Sequence, residues 1–498
     1  MTGTGVIEAD GTEPGREPGL GARLAMAAGK TVAVVTGVAF LGVIATVARF
    51  QAIPVWWLAG GAIVLGAIGL AVLIPLWRTR LPGHAFRYTV LLIAALVGLA
   101  ASVLSYAVLS QARNTLDEIQ PPAQPTVGYA VIALLRHADG LDSVADQPVG
   151  GMTTDPNLDQ ARTTLAESVT TQQHDFDDLM QATDALQAGD IEALLLPESY
   201  LSIYPEARPD FVGQYKILHR FTIVARAGPT PSAGATTAPP SAPSDAFIVY
   251  ISGIDQYGSI TGAGRSDVNI LVVVNPTTGQ ILLVTTPRDF YVQLRGTTGL
   301  KDKLTHAGVY GIDKSVGTLE DLYGVPIDYY LRINFDTVIN LVDLVGGIDV
   351  DSDYSFSAGG YSFHQGVNHL GGTQALAFSR ERHAFAGGDR VRGENQERVI
   401  EALIKRMSEP SQLVRFSSIL STMSTGLQTS MPTEKMMALV NQQLSSGRSW
   451  NVDRTSVTGS DASLPTYTYG SQNLYVMIPD QATVDAAKAR IAAVLAGQ

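Results

Sequence analysis

Gly264–Asp289 reads GRSDVNILVVVNPTTGQILLVTTPRD, and the fold is decided in this stretch. Val268 to Val274 and Ile281 to Thr286 are two apolar, β-rich runs. Between them lies Asn275-Pro276-Thr277-Thr278-Gly279, turn chemistry of the kind that closes a hairpin. Phe247 to Ser252 is a further apolar strand ahead of it. Downstream, Asn334 is placed as the N-cap of a helix whose Phe335, Val338, Ile339, Val342 and Val345 share one face. Gly346-Gly347 ends that helix, and a strand, Ile348 to Asp351, follows. Ala375 to Arg382 reads as another strand, in which alternation puts Phe378, Arg380 and Arg382 on one face. A helix near Arg392 to Met407 then turns Val399, Ile400, Leu403, Ile404 and Met407 toward a core. Alternating strands and helices over 245–498 argue a mixed α/β sandwich.

Upstream the composition changes twice. Ala227 to Ser244 is made only of Ala, Gly, Pro, Ser and Thr. Such a run cannot bury a core, so 227–244 is expected to be a linker. Residues 121–226 read as a small α/β accessory module. Val127–Leu135, Ile191–Leu196 and Tyr215–Val224 are strand-like, while Leu158–Val169 and Phe176–Ala188 are helix-like. No catalytic constellation is visible there, since His137 and His174 stand isolated.

Residues 31–110 hold three long uncharged or nearly uncharged runs, Thr31–Ala48, Ile53–Trp77 and Tyr88–Leu109. Each approaches or exceeds the roughly 20 residues that cross a bilayer, with Trp and Tyr near the ends. Three transmembrane helices are expected. Arg16, Arg23 and Lys30 precede the first, and Arg78, Arg80 and Arg87 lie between the second and third. The positive-inside rule therefore makes residues 1–30 a cytoplasmic tail and puts everything after Leu109 outside the cell.

Charge and cysteine content narrow the chemistry. Residues 1–110 contain seven Lys/Arg and four Asp/Glu, which leaves 27 basic against 42 acidic residues beyond them. So acidic an outer region repels phosphate backbones, which argues against general nucleic-acid binding. The chain has no cysteine, which removes disulfides, thiolate metal sites and a cysteine nucleophile.

Positive charge in the acidic C-terminal block collects at a few places. Arg380 and Arg382 flank Glu381, and Arg392 and Gln396 stack four apart near a helix N-terminus. Guanidinium forks beside a positive helix end suit phosphate or pyrophosphate. Asp255 follows the first strand, Arg265 and Asp267 open the second, and Arg288-Asp289 close the third. Ligands in α/β folds gather at strand ends, and carboxylates near such arginines are hard ligands suited to Mg²⁺.

Gly253-Ile254-Asp255, Gly264-Arg265-Ser266-Asp267, Thr286-Pro287-Arg288-Asp289, Lys303-Leu304-Thr305-His306-Ala307, Ser379-Arg380-Glu381-Arg382 and Gly388-Asp389-Arg390-Val391-Arg392-Gly393-Glu394-Asn395-Gln396 follow one another in that order. As a set they resemble the LytR–CpsA–Psr family over roughly Asp245 to Met407. Three spans and an accessory module look like its capsule-type, CpsA-like branch. The resemblance implies a mixed-sheet α-β-α sandwich over 245–498. It implies a membrane-anchored phosphotransferase that moves a phosphorylated glycan from a polyprenyl-pyrophosphate carrier to peptidoglycan with Mg²⁺. Carried over by motif, Asp255 and Asp267 would hold the metal. Arg265, Arg288, Lys303, Arg380, Arg382, Arg392 and Gln396 would line the pyrophosphate. Asp389 would support them, and Arg265, Asp267, Arg288 and Asp389 form the implied catalytic set. The segment Tyr310-Gly311-Ile312-Asp313 lacks the glycine pair of the family pattern. The rival readings are a pyrophosphate hydrolase, a non-catalytic lipid or glycan binder, and a regulator of the sort the family's older label suggests.

Overall fold

The computed structural model describes residues 20–49, 55–78, 85–120, 126–137, 139–224, 245–254, 260, 263–413, 415–423, 426–470 and 472–498. The linker expected at 227–244 lies outside the described residues, and so does Asp255. The chain divides into two compact units, Met1–Arg113 and Asn114–Gln498.

The first unit is built on helices α1 (Leu20–Arg49), α2 (Val55–Arg78) and α3 (Ala85–Glu118), the last of which runs on into the second unit. Arg23–Thr46 and Phe86–Ala107 are long and apolar enough to cross a membrane. In α2 the described residues make only a shorter apolar stretch, Gly69–Arg78. Ala33, Leu76, Tyr88 and Ala95 pack where these helices meet. Tyr88 Oη donates to Ala25 O at 2.6 Å and Thr36 Oγ1 to Ala95 O at 3.2 Å. Internal partners of this kind are what polar groups in an apolar medium require.

The second unit begins with a five-stranded sheet of β1 (Thr126–Leu134), β2 (Pro148–Met152), β3 (Gln172–Phe176), β4 (Ala193–Pro197) and β5 (Tyr215–Val224), in the order β3-β2-β4-β1-β5. Successive side chains of β1 go to opposite faces. Tyr129, Val131 and Ala133 pack on α4 (Leu158–Ala166), whereas Ala130, Ile132 and Leu134 pack on α5 (Leu179–Ala188). Helix α5 starts three residues later than the periodicity suggests. Phe176 still belongs to β3, and the Asp178 side chain accepts from Gln181 N at 2.8 Å as the cap.

The larger sheet is mixed. Its strands are β6 (Phe247–Ile254), β7 (Ser266–Asn275), β8 (Gln280–Thr285), β9 (Tyr329–Asn334), β10 (Leu427–Thr429) and β11 (Asn451–Ser456), in the order β10-β9-β6-β7-β8-β11. Strands β6, β7 and β8 are antiparallel neighbours, while β9 runs parallel to β6 and β11 parallel to β8. The hairpin between β7 and β8 is closed by Asn275, whose Oδ1 accepts from Thr277 N and Thr278 N, each at 3.1 Å. Gly279 then takes φ of 74°, a conformation that favours glycine.

Both faces of this sheet are covered. Ile248, Tyr250, Leu271, Val273, Leu282 and Val284 meet α6 (Ile312–Tyr323) on one side, together with Val484, Ala487 and Ile491 of a C-terminal helix, Gln481–Leu495. Phe247, Ile270, Val272, Val274, Ile281 and Leu283 meet Ile400, Ile404 and Leu439 on the other. The architecture is the α-β-α sandwich. Helix α7 (Phe335–Leu344) starts where expected, with the Asn334 side chain accepting from Thr337 N at 3.0 Å. Gly346 and Gly347 at φ 82° and 88° end it.

One element differs from its sequence reading. Ala375–Arg382, expected as a strand, is mostly helix α8 (Gly372–Arg380), with Glu381 extended after it. The residues that look alternating also fit a helix, because Ala375 and Phe378 are three apart and both fully buried. Gln374 Oε1 accepts from Gly371 N at 2.9 Å and Asp343 Oδ1 accepts from Gly372 N at 2.7 Å, which fixes the helix start. A side chain at Gly372 would meet Ile339 O at 2.2 Å, so α7 and α8 touch through bare backbone. Phe378, Arg380 and Arg382 therefore do not share a strand face.

Candidate active site

The C-terminal ends of β6, β8, β9 and β11 and the N-terminal end of β7 lie along one edge of the large sheet. A pocket of about 160 Å³ opens there, walled by Asp267 and Asn269 of β7, Thr285 to Arg288 at the end of β8, and Ser456 to Gly459 at the end of β11. Its remaining wall is Met477 together with Arg390, Arg392, Gly393 and Gln396 in the first two turns of α9 (Asp389–Met407). Two arginines, a helix N-terminus and Arg288 thus converge on one cavity. That combination favours an anionic group with several oxygens.

Asp267 is the hub. Its Oδ1 lies 3.2 Å from Arg288 Nη1, accepts from Thr305 Oγ1 at 3.0 Å, and is 3.9 Å from Arg265 Nη2. The segment carrying Thr305 is strapped beside Arg288 by backbone bonds, Thr305 N to Arg288 O at 2.8 Å and Leu304 N to Phe290 O at 2.9 Å. Residue 308 must be glycine for the same reason of closeness: a Cβ there would sit 2.3 Å from Gly264 O and 2.9 Å from Ser266 N. Gly264-Arg265-Ser266-Asp267 is held in place by that contact.

Beside Asp267 lies a second, buried cluster. Lys303 Nζ is 3.1 Å from Asp289 Oδ1 and is also paired with Glu206 Oε1. Arg265 Nη1 is 3.1 Å from Glu206 Oε2. His306 is fully buried, with Nδ1 2.6 Å from Asp302 Oδ1 and Nε2 3.8 Å from Glu206 Oε2. Burial works to lower the His306 pKa, but Asp302 and Glu206 outweigh it and hold the ring above its ordinary value. Burial works to raise the Glu206 carboxyl, and the His306, Arg265 and Lys303 partners overcome this and keep it well below the usual carboxylate range.

The residues singled out from sequence therefore fall into groups. Asp267, Arg288, Arg392 and Gln396 line the pocket. Arg265 and Lys303 adjoin it in the cluster around Glu206. Arg380 and Arg382 do not line it. The Arg380 guanidinium lies over the Phe335 ring, 4.3 Å from its centroid, and Arg382 Nε donates to His383 Nε2 at 3.3 Å. Asp389 is the first residue of α9, and its side chain is outside the described part of the structure, as the whole of Asp255 is. Among the described residues, no three or more Asp, Glu or His side chains are grouped to hold a metal.

A model of the LytR_cpsA_psr family matches residues 225–492. The chain belongs to the LytR–CpsA–Psr family. TagU of Halalkalibacterium halodurans, a polyisoprenyl-teichoic acid–peptidoglycan teichoic acid transferase, is 32% identical over 239 residues, spanning 48% of this chain and 75% of that protein. TagV of Bacillus subtilis, which carries the same description, is 34% identical over 249 residues, 48% of this chain and 62% of its own. The crystal structure of B. subtilis TagV covers 50% of this chain and 96% of its own at 34% identity, with a TM-score of 0.43.

This family member adds residues that sequence reading did not single out. Arg390 lines the pocket, and its place two residues before Arg392 in the same motif was the available signal. Glu397 is buried on the inner side of α9, where Ser456 Oγ donates to its Oε1 at 3.0 Å. Burial pushes its carboxyl up. Glu206 belongs to the accessory module, outside the family match, and no motif announces it.

Proposed function

We propose that this family member is a membrane-anchored phosphotransferase. It transfers a phosphorylated glycan from a polyprenyl-pyrophosphate carrier onto peptidoglycan outside the cytoplasm. The observation that supports the reading is the convergence of Arg288, Arg390, Arg392 and Gln396 on the cavity that Asp267 enters, in a family whose relatives bear transferase names. In the reaction a peptidoglycan hydroxyl attacks the phosphorus bearing the glycan, its proton passes to an aspartate of the site, and polyprenyl phosphate departs with the electrons of the broken P–O bond. Phosphoryl transfer asks mainly for positioning and charge stabilisation. The Arg288 and Arg392 forks would grip phosphate oxygens, with Gln396 donating one turn further along the same helix.

Mg²⁺ fits the donor chemistry. Asp267 supplies a hard carboxylate in the cavity wall, with Asp255 read as its second ligand, and this ion commonly takes only one or two carboxylates besides phosphate and water. When bound, it would neutralise charge on the pyrophosphate. The test incubates the full-length chain in detergent with lipid-linked glycan and peptidoglycan, with and without Mg²⁺. Glycan attached to the wall only in the presence of the metal is the expected product. Release of free phosphorylated glycan instead makes the protein a hydrolase, and no product at all makes it a binder.

The location is part of the same proposal. The apolar helices α1 to α3 anchor the chain, and the basic residues flanking them keep the N-terminus in the cytoplasm. A reporter fused after Gln498 is expected to be active only outside the cytoplasm. Cytoplasmic activity would remove the enzyme from its acceptor and overturn the reading.

A further inference from the structure

The Glu206 carboxylate is the one acidic group in the Arg265–Lys303 cluster that comes from the accessory module. Its segment is fixed from both sides by the large domain. Tyr469 Oη donates to Ile203 O at 3.2 Å and Gln472 Nε2 to Ala207 O at 3.0 Å. Just upstream, Ser199 Oγ donates to Val309 O at 2.9 Å, and the Tyr200 and Tyr310 rings meet edge to face at 5.7 Å. Tyr204 and Ala207 are buried in a core that also contains Tyr469 and Leu474. Glu206 is therefore held in a fixed position behind the pocket lining, with its charge pinned against two cations that would otherwise attract anions.

Its influence reaches the cavity through one residue. Arg265 touches Glu206 at 3.1 Å and stands 3.9 Å from Asp267, which lines the pocket. Solvent screening acts over roughly 8–10 Å and is weaker for partly buried charges, so an anion in the pocket feels this carboxylate. Such a site meets two kinds of polyprenyl pyrophosphate, the glycan-bearing donor and the bare carrier pyrophosphate, which is not a product of the proposed transfer. The glycan-bearing form is a diester with about two negative charges, whereas the bare form ends in a monoester phosphate that titrates near pH 6 and brings the total to about three. A fixed like charge costs the more highly charged ligand more, and specificity is that difference.

We propose that Glu206 is a specificity-determining residue, which neutralises Arg265 and Lys303 so that the site prefers the glycan-bearing diester over bare polyprenyl pyrophosphate. The proposal rests on the transferase reading above. Its test measures binding of geranylgeranyl pyrophosphate and of the same lipid pyrophosphate bearing N-acetylglucosamine, using the full-length chain in detergent with Mg²⁺. Glu206→Gln, nearly isosteric, is expected to tighten the bare pyrophosphate about tenfold and the diester about threefold or less, narrowing the preference. Glu206→Asp retains the charge and should keep the wild-type preference. Gln472→Ala leaves the carboxylate in place but releases its segment, and should shift the preference in the same direction by a smaller factor. It keeps the test open should Glu206→Gln fail to fold.

An unchanged preference in the Glu206→Gln protein, or in the Gln472→Ala protein if the former does not fold, overturns the proposal while leaving the transferase reading intact. Equal weakening of both ligands also overturns it, because Glu206 would then only position its neighbours. If the wild-type protein binds neither ligand, the transferase reading fails and the proposal goes with it.

Discussion

The Asp267→Ala protein is expected to lose glycan transfer by about a thousandfold while still retaining the lipid carrier, the scale seen when one preorganised electrostatic group is removed from an active site. Asp267 enters the pocket wall while bound to Arg288 at 3.2 Å and to the Thr305 hydroxyl at 3.0 Å. Charge on the departing phosphate grows as the P–O bond breaks, so a group that organises the neutralising charges matters more in the transition state than in the ground state. Binding should hold steady or tighten slightly, because removing an anion frees Arg288 toward the substrate. Asp267→Asn provides the control. It keeps an acceptor for Thr305 but not the charge, and should lose nearly as much turnover. The measurements are single-turnover transfer and equilibrium lipid binding. Wild-type transfer by the Asp267→Ala protein would falsify the role given to this carboxylate.

Arg392→Ala should act on the other side of that division, weakening the lipid carrier about ten- to a hundredfold. The basis is the loss of one charge-assisted contact worth about 1.5–3 kcal/mol. Arg392 reaches the cavity from the first turns of α9, where its fork and the helix end act together. Arg392→Lys should restore only part of the loss, since an ammonium cannot reproduce two parallel bonds to phosphate. Arg380→Ala gives the comparison. Its guanidinium rests on the Phe335 ring away from the pocket lining, so the effect on binding should be smaller. Equal losses for Arg380 and Arg392 would mean that the phosphate sits elsewhere than in this cavity.

The parts of the fold legible in sequence were those set by local chemistry. Asn275 and Gly279 specify a turn, Asn334 specifies a helix start, and Gly346-Gly347 specifies its end; each acts within a few residues. Ala375–Arg382 was misread because its short apolar pattern satisfies two periods at once. What decides between them is Asp343, 29 positions away, which accepts from the backbone of Gly372. The pocket shows the same contrast. Asp267, Arg288, Arg392 and Gln396 sit in compact motifs and could be found from spacing, whereas Glu206 is 97 positions from Lys303 in an unrelated module. Nothing near Glu206 in sequence signals its partners, because only tertiary packing brings them together.

The two bonds that hold the Glu206 segment join residues 265 and 266 positions apart. Contacts between such distant parts of a chain form late in folding, since loop closure must precede any stabilisation they give. During synthesis the accessory sheet emerges well before Tyr469 and Gln472 exist, and domains tend to fold in that order. For an interval, then, the nascent protein has its accessory module formed and Glu206 without Arg265, Lys303 or His306 to meet it. Arg265, Lys303 and His306 emerge before Tyr469 and Gln472, so the contacts that pin the Glu206 segment come after the charged partners it meets.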